Sequence, residues 1–243
     1  MKRTLGIFLL ISIFSNCTIM LPIISESSAK NTTKIVTNNL NKEEEIQNIK
    51  EDILTADYIQ EVEKNVILEL NELRTNPTEY AKKVKKYIGY FEGKFLKIPN
   101  EVPLVTIEGA KAYQECYDEL MKTKPMSALT LSKGLSLSAK DHVKDTQNLD
   151  EFGHTGTDGS SSADRASRYG EWGITIGENI DYGSPSAEQI VMSLIVDDGV
   201  SNRGHRKNVL NPEYKFAGVG FGEHKTYRTM TVIDFAGDYK EKN

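Results

Sequence analysis

Glycine on every second residue is the feature that most constrains this chain: it occupies positions 218, 220 and 222. Alternate residues of a β-strand share a face. One face of this strand therefore has no side chains, and a backbone, a ring or a ligand can come unusually close to it. A phosphate cradle does not fit, because no helix signal follows the glycines. Upstream, Ser201-Asn202 suits a helix start, and the short helix that follows stops at Asn211-Pro212. With its start near Arg203, His205 and Val209 lie one turn apart on one face, so the imidazole leans toward the protein.

The chain has 243 residues, 38% hydrophobic and 27% charged, enough for one ordinary core and one domain. A formal charge of −5 without a concentrated basic patch argues against nucleic acid as a partner. Two cysteines, Cys17 and Cys116, cannot build a disulfide scaffold, so the fold must stand on packing. Residues 1–29 read as an export signal, with Lys2-Arg3 ahead of an apolar run at 5–14 and small residues at Ser27-Ser28-Ala29. Cleavage there gives a secreted protein. Alternatively, Phe14-Ser15-Asn16-Cys17 resembles a loose lipobox, which would leave a lipid anchor on Cys17 and the protein on a membrane surface. The apolar run is too short and interrupted for a permanent span. Residues 30–60 are polar, with Glu43-Glu44-Glu45 among them, and read as a mobile linker with room for a short helix at its end. The folded domain is expected over 61–240.

Val62, Val66, Leu70 and Leu73 recur at helical spacing up to Asn76-Pro77, where Asn76 can cap the next helix, with Glu79 reaching back. Further helices are expected over 108–121, with Cys116 inward, and over 132–148. His142 falls on the apolar face of the latter and reads as a core histidine. Residues 152–170 are loop chemistry carrying His154 and the turn Asp158-Gly159, a setting in which histidines often carry function. Ile174, Ile176, Glu178 and Ile180 alternate, so in a strand the Glu178 carboxylate sits on an apolar face. It must be protonated, hydrogen-bonded or paired there, unless the strand end lets it reach water. The helix opened by Ser186 ends in Asp197-Asp198-Gly199, two carboxylates that oppose its macrodipole by about 0.3–1 kcal/mol each and call for a compensating cation or imidazolium. Residues 229–236 are apolar on both faces, the mark of a strand covered on both sides. His224, near the turn between this strand and the glycine strand, reads as solvated.

Four pieces occur in a fixed order: Asn71 with Arg74; His154 with Asp158-Gly159 and Arg165; Gly177-Glu178-Asn179-Ile180; and Gly204-His205-Arg206. This set resembles the signature of the CAP superfamily, which holds cysteine-rich secretory proteins, venom antigens and plant pathogenesis-related proteins, and in particular its bacterial SCP-domain branch. The resemblance implies an α+β fold, a three-layer α-β-α sandwich around a mainly antiparallel sheet. It also implies a central cleft with two histidines and two acids. His154, Glu178 and His205 take three of those positions. The fourth falls at Asp197 by spacing from the family's helix tryptophan, here Leu194, whereas the helical angle prefers Asp198.

Some members bind a divalent metal through the histidines, which here would be His154 and His205, with zinc the expected ion. Two function classes follow. The favoured one is a monomeric extracellular binding module for a lipid, a peptide or a surface ligand. The alternative is a metal-assisted hydrolase with Glu178 as base for a bound water. A metal-free serine mechanism would need one of Ser160, Ser161, Ser162 or Ser201 beside a histidine, which nothing in the spacing specifies.

Overall fold

In the computed structural model, residues 26–150 and 152–242 are described, with side chains from residue 40 onward. Residues 1–25, with Cys17 and most of the export signal, lie outside the described residues. In chain order the elements are α1 (Glu26–Thr55), α2 (Glu61–Thr75), α3 (Pro77–Ile88), β1 (Phe91–Glu92), β2 (Phe95–Leu96), β3 (Leu104–Val105) and α4 (Ala110–Leu120). There follow β4 (Thr130–Leu131), α5 (Lys133–Thr146), α6 (Ser162–Tyr169), β5 (Gly170–Tyr182), α7 (Ala187–Val196), α8 (Gly204–Val209), β6 (Phe216–His224) and β7 (Arg228–Glu241). None of the described helices is long and apolar enough to cross a membrane.

The described chain divides into two units after Glu43. Residues 26–43 are helical. In the second unit residues 44–55 are helical as well, so helix takes up more of 30–60 than the short helix expected at the end of that mobile linker. The physical reason is a sparse apolar stripe. Ile46, Ile49 and Ile53 are spaced three and four apart; Ile53 is fully buried and Ile49 packs on the main core, while Glu43, Glu44 and Glu45 face water.

The larger sheet has the order β4-β6-β7-β5, with β4 parallel to β6 and the other pairs antiparallel. β6 is the glycine strand, and what approaches its bare face is the backbone of α5. A Cβ on Gly218 would lie 2.0 Å from the Ser136 nitrogen, and one on Gly220 2.6 Å from that of Lys140. Opposite this helix, the other sheet face meets α2 and α7. Val219, Ile233 and Phe235 join the core cluster with Leu70, Ile190 and Leu194. Met230 and Val232 join a separate cluster with Ala139 and Val143 of α5. β7 is thus covered on both sides, as its sequence requires, and the three layers are helix, sheet, helix.

Several local expectations need correction. Asn76 makes no side-chain cap to α3, although Pro77 does open that helix; Glu79 turns to Lys82 instead. Ile174 does not share the face of Glu178. A bulge between Gly173 and Ile176 shifts the register, and Ile174 sits at φ 67° and is exposed. His224 is buried, not solvated. Its Nδ1 accepts the N–H groups of Thr226 and Tyr227, which the tight turn folds back onto it, and its ring lies 5.2 Å from those of Tyr182 and Tyr227.

Candidate functional site

Two histidines each meet an acid of their own. The loop before α6 places His154 with Nδ1 2.8 Å from Oε1 of Glu178 on β5. The imidazole side chain is 56% exposed and the carboxylate 2%. Arg165 of α6 donates through Nη2 to Oε2 of Glu178 at 2.5 Å and through Nη1 to the carbonyls of His154 and Ser160. One buried guanidinium therefore holds both the acid and the loop that carries the ring. Burial raises the Glu178 pKa, but the hydrogen bond from His154 and the charge of Arg165 outweigh it, so the group lies below its ordinary value and is ionised. Behind the loop, the buried His142 donates Nε2–H to the Gly153 carbonyl at 2.8 Å, the structural duty its place on an apolar helix face predicts. Burial lowers its pKa.

The second pair forms where α7 hands over to α8. Asp197 ends α7 in the left-handed conformation, φ 57° and ψ 45°, which turns its side chain across to the start of α8. Oδ1 lies 2.7 Å from Nδ1 of His205, while Oδ2 accepts the backbone N–H groups of His205 and Arg206. Asp198 is directed elsewhere and accepts the N–H groups of Ile107 and Glu108. Asp197, not Asp198, is the acid on His205. The two carboxylates that oppose the α7 dipole are thus met mainly by backbone donors, with an imidazole on one of them.

Arginines secure the helix ends. Arg74, fully buried, donates to the carbonyls of Val209, Asn211 and Tyr214 beyond α8, and burial lowers its pKa to about 10. Arg206 donates to the carbonyls of Ile195 and Val196 at the end of α7. Asn179, next to Glu178 on β5, donates to the His205 carbonyl and accepts from Asn208. The asparagine and arginine residues of the sequence pattern are therefore the frame that aims the histidines.

Pairing on β5 fixes where the two dyads stand. Glu178 lies opposite Asp234 and shares a face with Ile180, which packs on α5. Asn179 faces the other way, toward α8. The dyads flank the edge strand, one on each face. A hollow of about 610 Å³ runs along that edge, within the size range of small-molecule sites. His205 and Asp197 line it from the α7 side, and Ile180, Tyr182 and Phe152 line it from the other. His154 and Glu178 are not among its lining residues.

The sequence model of the cysteine-rich secretory protein family, CAP, matches residues 69–235, a span that contains all four motif pieces and both dyads. The chain belongs to the CAP family. The uncharacterized protein YkwD of Bacillus subtilis (strain 168) is 31% identical over 108 residues, which is 44% of this chain and 40% of YkwD; the match thus spans less than half of that relative. Among solved structures, the chain is similar to an outer surface protein from Borrelia burgdorferi, at 16% identity and a TM-score of 0.38 over 48% of this chain and 80% of the other. It is also similar to an extracellular protein containing an SCP domain from Bacillus anthracis str. Ames, at 23% identity and a TM-score of 0.35 over 46% and 34% of the two chains.

In this CAP domain each imidazole gives Nδ1 to a carboxylate, which leaves Nε2 as its outward acceptor. Carboxylate-oriented imidazoles are the usual form of histidine metal ligands. The acids themselves are engaged, however. Among the described residues no three His, Cys, Asp or Glu side chains gather as a metal site. A metal here would have His154 and His205 as its protein ligands, short of the three common in catalytic zinc centres. The donor set therefore does not fit such a centre, and no step is derived through one.

Sequence reasoning missed the apolar wall of the hollow. Leu104, Val105 and Ile107 come from a stretch to which the sequence reading assigns no element, and each is more than half exposed. The alternation of Val102, Leu104 and Thr106 with Val105 and Ile107 was the available signal. Phe152, Tyr182 and Tyr227 also went unassigned, because only the tertiary fold brings their rings together.

Proposed function

We propose that this CAP protein is exported and acts as a binding module. The hollow along the edge of β5 takes the apolar part of a lipid or peptide ligand, and the His205–Asp197 pair meets its polar end. The observation that carries this reading is the composition of the hollow, where the exposed apolar residues Leu104, Val105 and Ile107 stand on one wall and a carboxylate-held imidazole on another. Apolar lining with a few placed polar groups is the usual form of a ligand site. Export is supported by the basic-then-apolar start of the sequence.

A fluorescent fatty acid titrated into the purified domain should bind saturably. A charge set into the wall by Leu104→Asp should weaken it at least about tenfold, on the order of 1.4 kcal/mol. If the fatty acid and a panel of apolar peptides all fail to saturate, or if Leu104→Asp binds as well as the parent, the hollow is not the site.

A divalent ion shared by Nε2 of His154 and His205 is the second reading, and it requires the two rings, on opposite faces of β5, to meet round the edge of that strand. Calorimetry with zinc on untagged protein should then give one site that either His154→Ala or His205→Ala abolishes; unchanged binding in both variants would remove the ion from the reading.

A further inference from the structure

Asp234, the residue opposite Glu178 in the sheet, takes no part in either dyad. It is the cross-strand partner of Glu178 on β7 and is fully buried. Directly opposed side chains of an antiparallel pair have Cβ atoms about 4.5–5.5 Å apart, so the two carboxyl groups stand within reach of each other beneath α5. On its other flank Asp234 pairs with Gly218, which brings no side chain and is sealed by the α5 backbone. The groups that face it are Glu178 from β5, Ser138 from α5 and Arg165 from α6, and His142 of α5 acts on Glu178 beside it.

Counted as a carboxylate, which only accepts, Asp234 has no close hydrogen bond to either oxygen among the described residues, and neither the Ser138 hydroxyl nor the Arg165 Nε–H has a partner there; burial and Glu178 raise the Asp234 pKa by more than Ser138 lowers it. Its neighbour Glu178 is itself an acceptor, already receiving His154 and Arg165. Arg165 gives Nη2 to Glu178 and Nη1 to two carbonyls. His142, whose pKa is lowered by burial, is held neutral. Two buried acceptors within reach of each other require a proton between them, since two buried carboxylates sharing a site cannot both ionise. Burial first, and then the charge of Glu178, pushes the Asp234 carboxyl well above its ordinary range.

We propose that Asp234 is a neutral carboxylic acid at physiological pH, that its O–H donates to Glu178, and that it is thereby the buried positioning residue of a His154–Glu178–Asp234 chain. The proton on Asp234 keeps Glu178 an anion with its oxygens aimed at His154 and Arg165. This in turn keeps the hydrogen of His154 on Nδ1 and its Nε2 outward as an acceptor. The role stands whether the hollow binds a ligand or not, since it concerns only how the ring is set.

Infrared spectra of the parent protein at pH 7 should show a protonated-carboxyl C=O band that is missing in Asp234→Asn; the absence of that band from the parent overturns the proposal even if the variant does not fold. Asn is a neutral isostere that still donates. The ratio of its folding constant to that of the parent, measured in urea, should grow about tenfold per pH unit between pH 5 and 7, because only the parent must take up a proton on folding. A flat ratio over that interval means that Asp234 is ionised in the fold, and it refutes the assignment. The positioning role is read from 15N shifts of the His154 ring. Asp234→Asn should keep the Nδ1–H tautomer, and Asp234→Val, which fits a strand but cannot donate, should lose it. Unchanged shifts in Asp234→Val would leave Asp234 a packing residue and overturn the role.

Discussion

At the scale of single residues, this domain puts ionised groups where water does not reach and satisfies them with fixed donors. Glu178 and Arg165 both have side chains 2% exposed, and their contact is 2.5 Å. A pair this deep contributes less by its attraction than its loss would cost, since removing one partner strands the other charge, typically at about 3–5 kcal/mol. Arg165→Met should therefore destabilise the domain by about 3–5 kcal/mol in urea denaturation, helped by the loss of the bonds to the His154 and Ser160 carbonyls. The double variant Arg165→Met with Glu178→Leu should recover a good part of that loss, because the stranded carboxylate is gone. A single variant costing under about 1 kcal/mol would mean that Glu178 finds other donors. Asp197 follows the same logic with backbone N–H groups in place of a guanidinium. Its left-handed backbone, tolerated by aspartate better than by most side chains, is what points the carboxylate at α8 instead of at its own helix end.

Among the elements, the contact of α5 with β6 and the clamp on α8 decide the geometry. Gly218→Ala should cost about 3 kcal/mol, at the upper end of what overpacking usually costs, since the added Cβ would meet the Ser136 nitrogen at 2.0 Å and backbone cannot rotate away. Gly173→Ala, whose Cβ would meet the Asp238 side chain at an ordinary 3.4 Å, is the control and should stay within about 0.5 kcal/mol. Equal melting shifts for the two would refute the close packing. The bare strand face was legible because a period of two without side chains has one structural meaning. Which helix covers it was not, since α5 lies far away in sequence. Both histidines and Glu178 were legible as motif positions, but the fourth acid was not. The angle that favoured Asp198 assumed that α7 continues through it, whereas the chain leaves the helix at Asp197. The grip on α8 from Arg74 was invisible for a related reason: a six-residue helix cannot stand alone, and its support comes from carbonyl contacts across more than a hundred residues. Linker and strand errors share one cause. Sparse isoleucines in α1 and the bulge ahead of Ile176 both break the regular periods from which elements are read.

For the whole molecule, the shifted groups combine into a stability profile with an acid rise and an alkaline fall. Glu108 and Glu115, held by Arg203, and Asp158, bonded to Ser160 and Arg168, lie at about 2; Glu178 also lies below its ordinary 4.5. An acid lowered on folding stabilises above its unfolded value, and that contribution is lost as pH falls through the folded one. Stability must therefore rise from about pH 2 to about 4.5. Asp158 and Glu115 are exposed and Glu108 is half-buried beside solvent, so these three contribute weakly and Glu178 dominates this limb. Asp234 and Asp181 are raised, and their sign is opposite: the unfolded chain has released these protons while the fold retains them, so each lowers stability as pH climbs above 3.8. His142 is lowered from 6.5, and its unfolded form binds a proton that the fold does not, which raises stability with pH until 6.5 is passed. Just below 6.5 the histidine therefore works against the raised acids. Above 6.5 it is silent in both states, and the retained proton of Asp234 acts without that opposition. Unfolding free energies of the parent protein from urea titration should thus climb from about pH 2 to about 4.5, and above about pH 6.5 decline by up to about 1.4 kcal/mol per pH unit. A free energy that holds level or keeps rising from about pH 6.5 to 8 would mean that the fold retains no extra proton, and the buried carboxylic acid on β7 would have to be given up with it.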